Sequence, residues 1–157
     1  MNIERDEVCI FIPTLNEAPT IAELIGEFKE RGFRHILVMD GHSTDGTPDI
    51  ARAAGAVVRT QTGRGKGNAI IEAVAIIDKP YVLMLDGDGT YAPDDAERML
   101  DPLGLGFDHV IGDRLAGPEG EAFTRLNLLG NQILNLMFKL AHGRDLHDIL
   151  SGYRAFT

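Results

Sequence analysis

The chain has 157 residues and a formal net charge of −9, from 24 acidic and 15 basic side chains. A chain of this length buries about two thirds of its unfolded surface as one unit, which predicts a single domain over residues 1–157. The acidic excess argues against a general nucleic-acid binder, because such proteins need an excess of Lys and Arg. Cys9 is the single cysteine, so no internal disulfide can form. No apolar run is long enough to cross a bilayer, which predicts a soluble or peripheral chain.

Apolar runs bounded by turn residues predict buried strands along the first two thirds of the chain. The runs cover residues 8–13, 35–40, 56–60, 81–85 and 108–112. Helical patterns separate them, which is typical of a parallel sheet covered by helices on both faces. Ligands bind such sheets at the carboxyl ends of the strands. The polar loops at residues 16–17, 40–45 and 86–88 all fall at that edge.

Side-chain capping predicts where two of these helices begin. Thr20 and Glu23 have the spacing of a capping box. Thr47 precedes Pro48 and is predicted to be an N-cap. The helix that follows residue 67 is predicted to bury one apolar face, which consists of Ile70, Ala73, Val74 and Ile77.

A pair of carboxylates, Asp86 and Asp88, follows the 81–85 strand. On an extended backbone both side chains point to the same side, and Gly87 between them lets a ligand approach. Two hard oxygen donors suit Mg²⁺ or Mn²⁺, because these ions complete their coordination with phosphate and water. Asp-Gly dipeptides are also typical of solvated turns. The motif alone therefore leaves a metal site and a turn open.

The loop at residues 62–67 combines glycines with the cations Arg64 and Lys66. A cation beside glycines at a helix entrance can hold an anion, although a solvated basic turn has the same composition. The spacing of a P-loop is absent. No G-x-G-x-x-G follows the first strand, which disfavours a dinucleotide dehydrogenase.

A long amphipathic helix is predicted over residues 121–142. We expect its apolar stripe to pack on the core, since ordinary surface helices have this pattern. Membrane-surface contact is the alternative, which the weakly basic polar face disfavours. The stripe consists of Leu126, Leu129, Ile133, Met137 and Leu140.

Six short motifs occur in the order found in family 2 glycosyltransferases of the GT-A fold. Within that family the chain most resembles the dolichyl-phosphate (polyprenyl-phosphate) sugar transferases, in particular the archaeal enzymes that begin N-glycan assembly. The resemblance covers nearly the whole chain and implies a three-layer α/β/α sandwich with a mostly parallel central sheet. The motifs are Pro13-Thr-Leu-Asn-Glu17, Asp40-Gly-His-Ser-Thr-Asp-Gly-Thr47, Gly65-Lys-Gly67, Asp86-Gly-Asp88, Gly112-Asp-Arg114 and Ser151-Gly-Tyr-Arg-Ala-Phe156.

On the donor side, the resemblance implies a site for a UDP- or GDP-linked sugar with Mg²⁺ or Mn²⁺. Asp88 is the implied direct metal ligand, and Asp86 contributes through the nucleotide or water. Gly41 stands where many family members have a second Asp, and Thr90 stands where some have Gln. The implied nucleotide-sugar-binding residues are Pro13, Leu15, Glu17, Asp40, Lys66, Asp86 and Gly87.

On the acceptor side, Arg114 and Arg125 match arginines that bind the acceptor phosphate, and a guanidinium suits this role because it donates two parallel hydrogen bonds. Ser151 and Arg154 belong to the closing motif and are further phosphate-binding candidates. With Asp88, the two arginines form the implied catalytic set. Asp148 is an alternative, structural partner for Arg154.

The resemblance implies inverting transfer of a hexose to dolichyl (polyprenyl) phosphate, an early step of protein N-glycosylation. A phosphate nucleophile is already anionic and needs no protein base. The implied location is the cytoplasm, peripheral to the cytoplasmic face of the cell membrane. Transfer to a carbohydrate hydroxyl, or a nucleotide-sugar binding module without turnover, are the alternatives. Relatives usually continue beyond the closing motif, so a C-terminal lid or membrane-contacting helices could be missing.

Overall fold

The central sheet has six strands within residues 3–113, 125–143 and 147–157, which the computed structural model describes. The chain forms two units, one of Met1–Val110 with Tyr153–Thr157 and the other of Ile111–Gly152. The strands are β1 (Val8–Thr14), β2 (His35–Asp40), β3 (Val57–Thr60), β4 (Tyr81–Met84), β5 (His109–Ile111) and β6 (Arg154–Phe156).

The strand order is β3-β2-β1-β4-β6-β5. β1 pairs in parallel with β2 on one side and with β4 on the other, and β2 pairs in parallel with β3. β6 is antiparallel to β4. The chain therefore winds outward from β1 in both directions, which makes the β1–β4 boundary a topological switch point, where open α/β sheets bind ligands.

Alternating residues of β1 supply two separate cores, as the two-residue period of a strand requires. Ile10 and Ile12 belong to one apolar cluster, and Cys9 and Phe11 belong to the other. All seven residues of β1 are buried. Both faces of the sheet are covered, which confirms the predicted three-layer arrangement. Burial raises the pKa of the Cys9 thiol to about 11, as expected for a buried structural cysteine.

The helices are α1 (Ile21–Glu30), α2 (Thr47–Ala53), α3 (Lys66–Val74), α4 (Ala96–Gly104) and α5 (Arg125–His142). Short 3₁₀ turns cover Arg5–Glu7 and Pro93–Asp95. The predicted buried face of α3 is wrong at Val74, which ends the helix and is 52% exposed. Ala73 is buried as predicted, and Ile70 and Ile77 pack partly buried against the same cluster. Ala69 joins this face, since small side chains allow close approach to the sheet.

Thr20 is the N-cap residue of α1, as predicted, whereas Thr47 is not the N-cap of α2. The Thr20 hydroxyl makes no cap bond and donates to the Gly87 carbonyl at 2.5 Å. Gly46, with a φ of 90°, is the N-cap of α2, and Thr47 is the first helical residue. The Thr47 hydroxyl donates to Asp45. Tertiary partners thus take both hydroxyls away from helix capping, and both partners belong to loops at the carboxyl edge of the sheet.

In the second unit, the side-chain amides of two asparagines on α5 form hydrogen bonds with residues 147–149. Asn131 is buried and donates to Asp148 at 2.9 Å, and Asn135 bonds the backbone of residues 147 and 149. The expected apolar packing of α5 is wrong for its described members: Ile133, Met137 and Leu140 are 51%, 60% and 79% exposed. The side chains of residues 126 and 129 lie outside the described set. Among described residues, no helix is long and apolar enough to cross a membrane.

Candidate functional site

The loops that follow β1 and β2 are joined by reciprocal hydrogen bonds. The Asn16 backbone N–H donates to Ser43 Oγ at 2.9 Å, and the Thr44 N–H donates to Asn16 Oδ1 at 2.9 Å. The Gly41 N–H donates to the Thr14 carbonyl at 2.8 Å. Asn16 has a φ of 60°, which asparagine tolerates better than most residues. These bonds hold the two loops as one wall of the site.

Asp45 and Thr47 extend this wall to Glu17. The Thr47 hydroxyl donates to Asp45 Oδ1 at 2.6 Å and accepts from the Glu17 N–H at 2.8 Å. Asp45 Oδ2 accepts from the Ala18 N–H at 3.0 Å. These hydrogen bonds, chiefly the one from the Thr47 hydroxyl, lower the pKa of Asp45. Asp45 therefore positions the backbone around Glu17.

Gly87 brings the loop after β4 against the loop after β1. A Cβ at position 87 would lie 3.0 Å from Thr14 Cγ2 and 3.3 Å from Glu17 Cγ. The Thr20 hydroxyl bonds the Gly87 carbonyl from the other side. Only glycine fits here without moving its neighbours, and the close approach sets the carboxylates of the two loops beside each other.

Glu17, Asp86 and Asp88 form a cluster of negative charge. Burial raises the pKa of Glu17 first, and the charges of Asp88, Asp86 and Asp45 raise it further. Asp88 Oδ1 accepts from the Thr90 backbone N–H at 2.9 Å. Asp86 forms an ion pair with Lys66, the first residue of α3. The site thus places three carboxylates close together and pairs one of them with a lysine.

The carboxylate cluster fits a divalent cation of the Mg²⁺ type. Burial first, and then the charges of Asp88, Asp86 and Asp45, raise the pKa of Glu17, and a bound cation would relieve the repulsion among these acids. No group of three or more His, Cys, Asp or Glu side chains in the described parts of the chain could hold a metal alone. Mg²⁺ is commonly bound by one or two carboxylates plus phosphate and water. Asp88 and Asp86 would hold it together with a phosphorylated ligand.

A cavity of about 240 Å³ opens between these loops. Most of the residues that the sequence predicted for the donor line it together, at the switch point beside β1. Gly41, Thr14 and Gln61 line it too. The predicted residues in the lining are Pro13, Leu15, Glu17, Lys66, Asp86, Gly87 and Asp88.

A larger cavity of about 580 Å³ lies around Arg5, Phe33 and Glu97, near the residues that precede β1 and β2. Arg5 pairs with Glu97 there, and Asp6 pairs with Arg34 at 3.8 Å. All four charged side chains are more than half exposed. Exposed ion pairs at the amino edge of the sheet are ordinary surface chemistry, so we place the functional site in the smaller cavity.

Asp40 is the predicted donor residue that does not line the cavity. Its buried carboxylate accepts from the His42 N–H at 3.1 Å and from the Ser43 N–H at 3.2 Å. His42 has a φ of 71°, and its Nε2 lies 3.2 Å from the Gly63 carbonyl oxygen. Asp40 therefore shapes the turn after β2.

Part of the predicted acceptor set can be placed. Arg114 and the side chain of Arg125 lie outside the described residues. Arg154 begins β6 in register with Met84, two residues before Asp86. Its charge adds to burial in lowering the pKa of His109. Ser151 is buried, and its N–H donates to the Asp148 carbonyl at 3.2 Å.

Gln61 and Glu72 were not singled out in the sequence. Glu72 accepts from the backbone N–H of Thr62 at 2.9 Å, from its hydroxyl at 2.7 Å and from the Gly63 N–H at 3.3 Å, and these bonds lower its pKa to about 2. Gln61 follows β3, so its position at a strand end was the signal that could have found it. Glu72 carries no such signal, because its partners are brought together only by the fold.

A mostly parallel sheet with carboxylates after β4 and a cavity at the switch point defines the GT-A fold of nucleotide-sugar-dependent transferases. The chain belongs to the family described as Glycosyl transferase family 2, whose family model matches residues 9–156. This confirms the family and fold that the motifs predicted.

Two relatives come from the archaeon Haloferax volcanii. The chain is 59% identical over 153 residues to glycosyltransferase AglJ, which covers 97% of this chain and 50% of AglJ. It is 33% identical over 153 residues to a dolichyl-phosphate hexose transferase, which covers 96% of this chain and 66% of the relative. These similarities confirm the archaeal branch. The chain spans half the length of AglJ.

Among solved structures, the chain is similar to glucosyl-3-phosphoglycerate synthase from M. tuberculosis. The TM-score is 0.77 at 25% identity, over 96% of this chain and 56% of that one. A structure of the same enzyme with Mn²⁺ and UDP-glucose gives a TM-score of 0.71 at 25% identity, over 96% and 55% of the two chains.

Proposed function

We propose that the chain is the GT-A catalytic domain of a metal-dependent, inverting hexosyltransferase that uses a nucleotide-diphospho-sugar donor and a polyprenyl phosphate acceptor. The observation that carries the proposal is the convergence of Glu17, Lys66, Asp86 and Asp88 in one cavity at the switch point. An acid cluster with one cation suits a metal-bound diphosphate, and UDP-glucose with Mn²⁺ in the similar synthase supports this donor class.

On the donor side, the nucleotide occupies the cavity, with Pro13 and Leu15 against the nucleoside. Lys66 exchanges its bond with Asp86 for the diphosphate, which places a positive charge on the leaving group. Asp88 and Asp86 would hold Mg²⁺ or Mn²⁺, which would supply further neutralisation of the diphosphate. Gly87 and the loop walls fix these groups before the donor arrives, so little reorganisation is needed.

On the acceptor side, an anionic phosphate oxygen attacks the anomeric carbon of the sugar. The bond from that carbon to the diphosphate oxygen breaks, and the nucleoside diphosphate leaves with the electron pair and with inversion at the carbon. No proton has to be removed from the nucleophile, so no general base is assigned. Arg114, Arg125, Ser151 and Arg154 are proposed to bind the acceptor phosphate.

The acceptor class is supported by the similarity to the dolichyl-phosphate hexose transferase. The exposed apolar side chains of α5, such as Met137 and Leu140, suit peripheral contact with the cytoplasmic face of a membrane that carries such a lipid. Within the archaeal branch, we assign the reaction to an early step of protein N-glycosylation.

The test is transfer of hexose from a panel of UDP- and GDP-sugars to polyprenyl phosphate with Mg²⁺ or Mn²⁺, measured as lipid-linked sugar. Asp88→Asn is expected to weaken both metal and donor binding. Arg114→Ala is expected to spare nucleotide binding and to reduce transfer. Equal loss of nucleotide binding in both variants would contradict separate donor and acceptor half-sites.

Two outcomes would replace the proposal. Transfer to a carbohydrate hydroxyl, with a pH-rate profile that reports an essential enzyme base, would favour the hydroxyl-acceptor alternative. Donor and metal binding without transfer to any acceptor would favour a binding module.

A further inference from the structure

Two buried polar atoms of residues that line the cavity have no hydrogen-bond partner within the described chain, namely Thr14 Oγ1 and Gln61 Oε1. Thr14 is 5% exposed and Gln61 is 3% exposed. Buried polar atoms in native proteins are nearly always paired, so each unpaired one needs an explanation. Two such atoms in the lining of one cavity point to a polar ligand that pairs with them.

Gly41 leaves the room that the Gln61 amide occupies. A Cβ at position 41 would lie 3.3 Å from Gln61 Nε2 and 3.1 Å from the Thr14 carbonyl oxygen. The φ of Gly41 is not in the left-handed region, so the missing side chain matters here and the backbone conformation does not. The chain therefore combines a glycine after β2 with an amide after β3 at one point of the cavity.

The backbone that carries Gln61 is held in place by hydrogen bonds on both sides of the residue. The Gln61 N–H donates to the Asp40 carbonyl at 3.0 Å, and Glu72 binds the backbone N–H groups of the next two residues. Nε2 and the Thr14 carbonyl oxygen lie close to the same point. If the Gln61 side-chain amide were flipped, its Oε1 would replace Nε2 near the Thr14 carbonyl oxygen, and two acceptors would lie side by side. The present orientation is therefore favoured.

The position of Gln61 relative to the acids matches a nucleotide. Gln61 follows β3, and Asp86 and Asp88 follow β4, three strand spacings away or roughly 14 Å. A nucleoside diphosphate is about that long, whereas a phosphate or a metal ion alone is not. With the diphosphate at the acids, the base reaches Gln61.

We propose that Gln61 selects the nucleobase of the donor, an inference that rests on the proposed function of this cavity. Gln61 Oε1 accepts from a ring N–H, and Nε2 donates to the adjacent carbonyl oxygen. Uracil and guanine both present this edge. Cytosine and adenine present a ring acceptor beside an amino donor, the reverse pattern. Thr14 Oγ1 supplies a further contact to the bound nucleoside.

The test compares nucleotides that differ in that edge, by titration calorimetry with Mg²⁺ or Mn²⁺. The pairs are UDP with CDP, and GDP with ADP. The parent protein is expected to prefer UDP over CDP, or GDP over ADP, by about tenfold or more, which corresponds to one or two hydrogen bonds. The pair that shows the preference identifies the donor base.

Gln61→Leu keeps the approximate size of the side chain and removes both hydrogen-bonding groups, so the preference is expected to fall to within about threefold of unity. Gly41→Ala, which crowds the amide, should lower the preference as well. Thr60→Val is the matched control: it changes an exposed neighbour, and the preference should persist. Ratios within a pair cancel any general loss of folded protein.

An unchanged preference in Gln61→Leu and Gly41→Ala, or a parent protein that binds both members of each pair equally, would overturn the role of Gln61 while leaving nucleotide binding established. A parent protein that binds none of the four nucleotides would overturn the donor site itself and the inference with it.

Discussion

Replacing Gly87 with alanine tests whether close packing between the loops after β1 and β4 builds the metal and donor site. The added Cβ would lie 3.0 Å from Thr14 Cγ2 and 3.3 Å from Glu17 Cγ, whereas ordinary contacts begin at 3.4 Å. Thr14 is buried in β1 and cannot give way without moving the strand end. The Glu17 stem can move, and its carboxylate then leaves the cluster.

The expected size of the effect follows from overpacking. Extra carbon atoms in a packed region cost about 1–3 kcal/mol. For a chain of this size that corresponds to a fall in Tm of about 2–12 °C. Because Glu17, Asp86 and Asp88 are displaced relative to one another, nucleotide binding with Mn²⁺ should also weaken, by about fivefold or more for each kcal/mol that falls on the bound state.

Gly26→Ala is the matched control. Position 26 lies inside α1, a Cβ there meets nothing within 4 Å, and its φ is not in the left-handed region. This variant should raise the free energy of unfolding by roughly 0.5–1 kcal/mol, because alanine is the better helix former, and it should leave binding unchanged. Thermal unfolding and calorimetry measure both quantities. A Gly87→Ala variant that matches Gly26→Ala in Tm and affinity would refute the packing argument.

Three further predictions concern the charges of the site. Glu72→Gln should lower Tm above pH 4.5, and the difference from the parent should shrink as pH falls toward 2, because the depressed pKa of Glu72 contributes stability that is lost as pH falls through the folded value; a pH-independent difference would contradict this. Asp88→Asn should lower the raised pKa of Glu17, measured by carboxyl NMR, since the Asp88 charge contributes to it, and an unchanged pKa would show that the Asp88 charge does not act on Glu17. Lys66→Met should weaken binding of UDP or GDP far more than binding of the free nucleoside, and an equal loss in calorimetry would remove the diphosphate role of Lys66.

Most of the sheet could be predicted from sequence because its strands are apolar runs, a pattern that depends only on residues close together along the chain. β2 has the predicted bounds, and β1, β3, β4 and β5 agree to within about two residues. β6 was not predicted, because Arg154–Phe156 is short and its partner Met84 is 70 positions away. Sequence patterns relate residues that are close along the chain, and the two residues of this pair are far apart along it.

Side chains with a choice of partners were less predictable. Thr20 and Thr47 have capping chemistry, yet the Gly87 carbonyl and Asp45 compete successfully for their hydroxyls. The motif pointed to Asp40 for the donor, but its carboxylate turns into its own loop. The position of Gln61 at the end of a strand was the one local indication that it belongs to the site. The motifs predicted a site at this edge of the sheet, and tertiary hydrogen bonds decide which side chains line the cavity there.

The antiparallel pairing of β6 with β4 has a consequence for how the protein is made. Residues 154–156 bond β4, the strand that precedes Asp86 and Asp88, so β4 has an open edge until the ribosome has added those residues. An apolar strand with an unpaired edge is a template for aggregation. During synthesis β4 therefore needs prompt pairing with β6 or shielding by a chaperone, and a chain cut before residue 154 should aggregate.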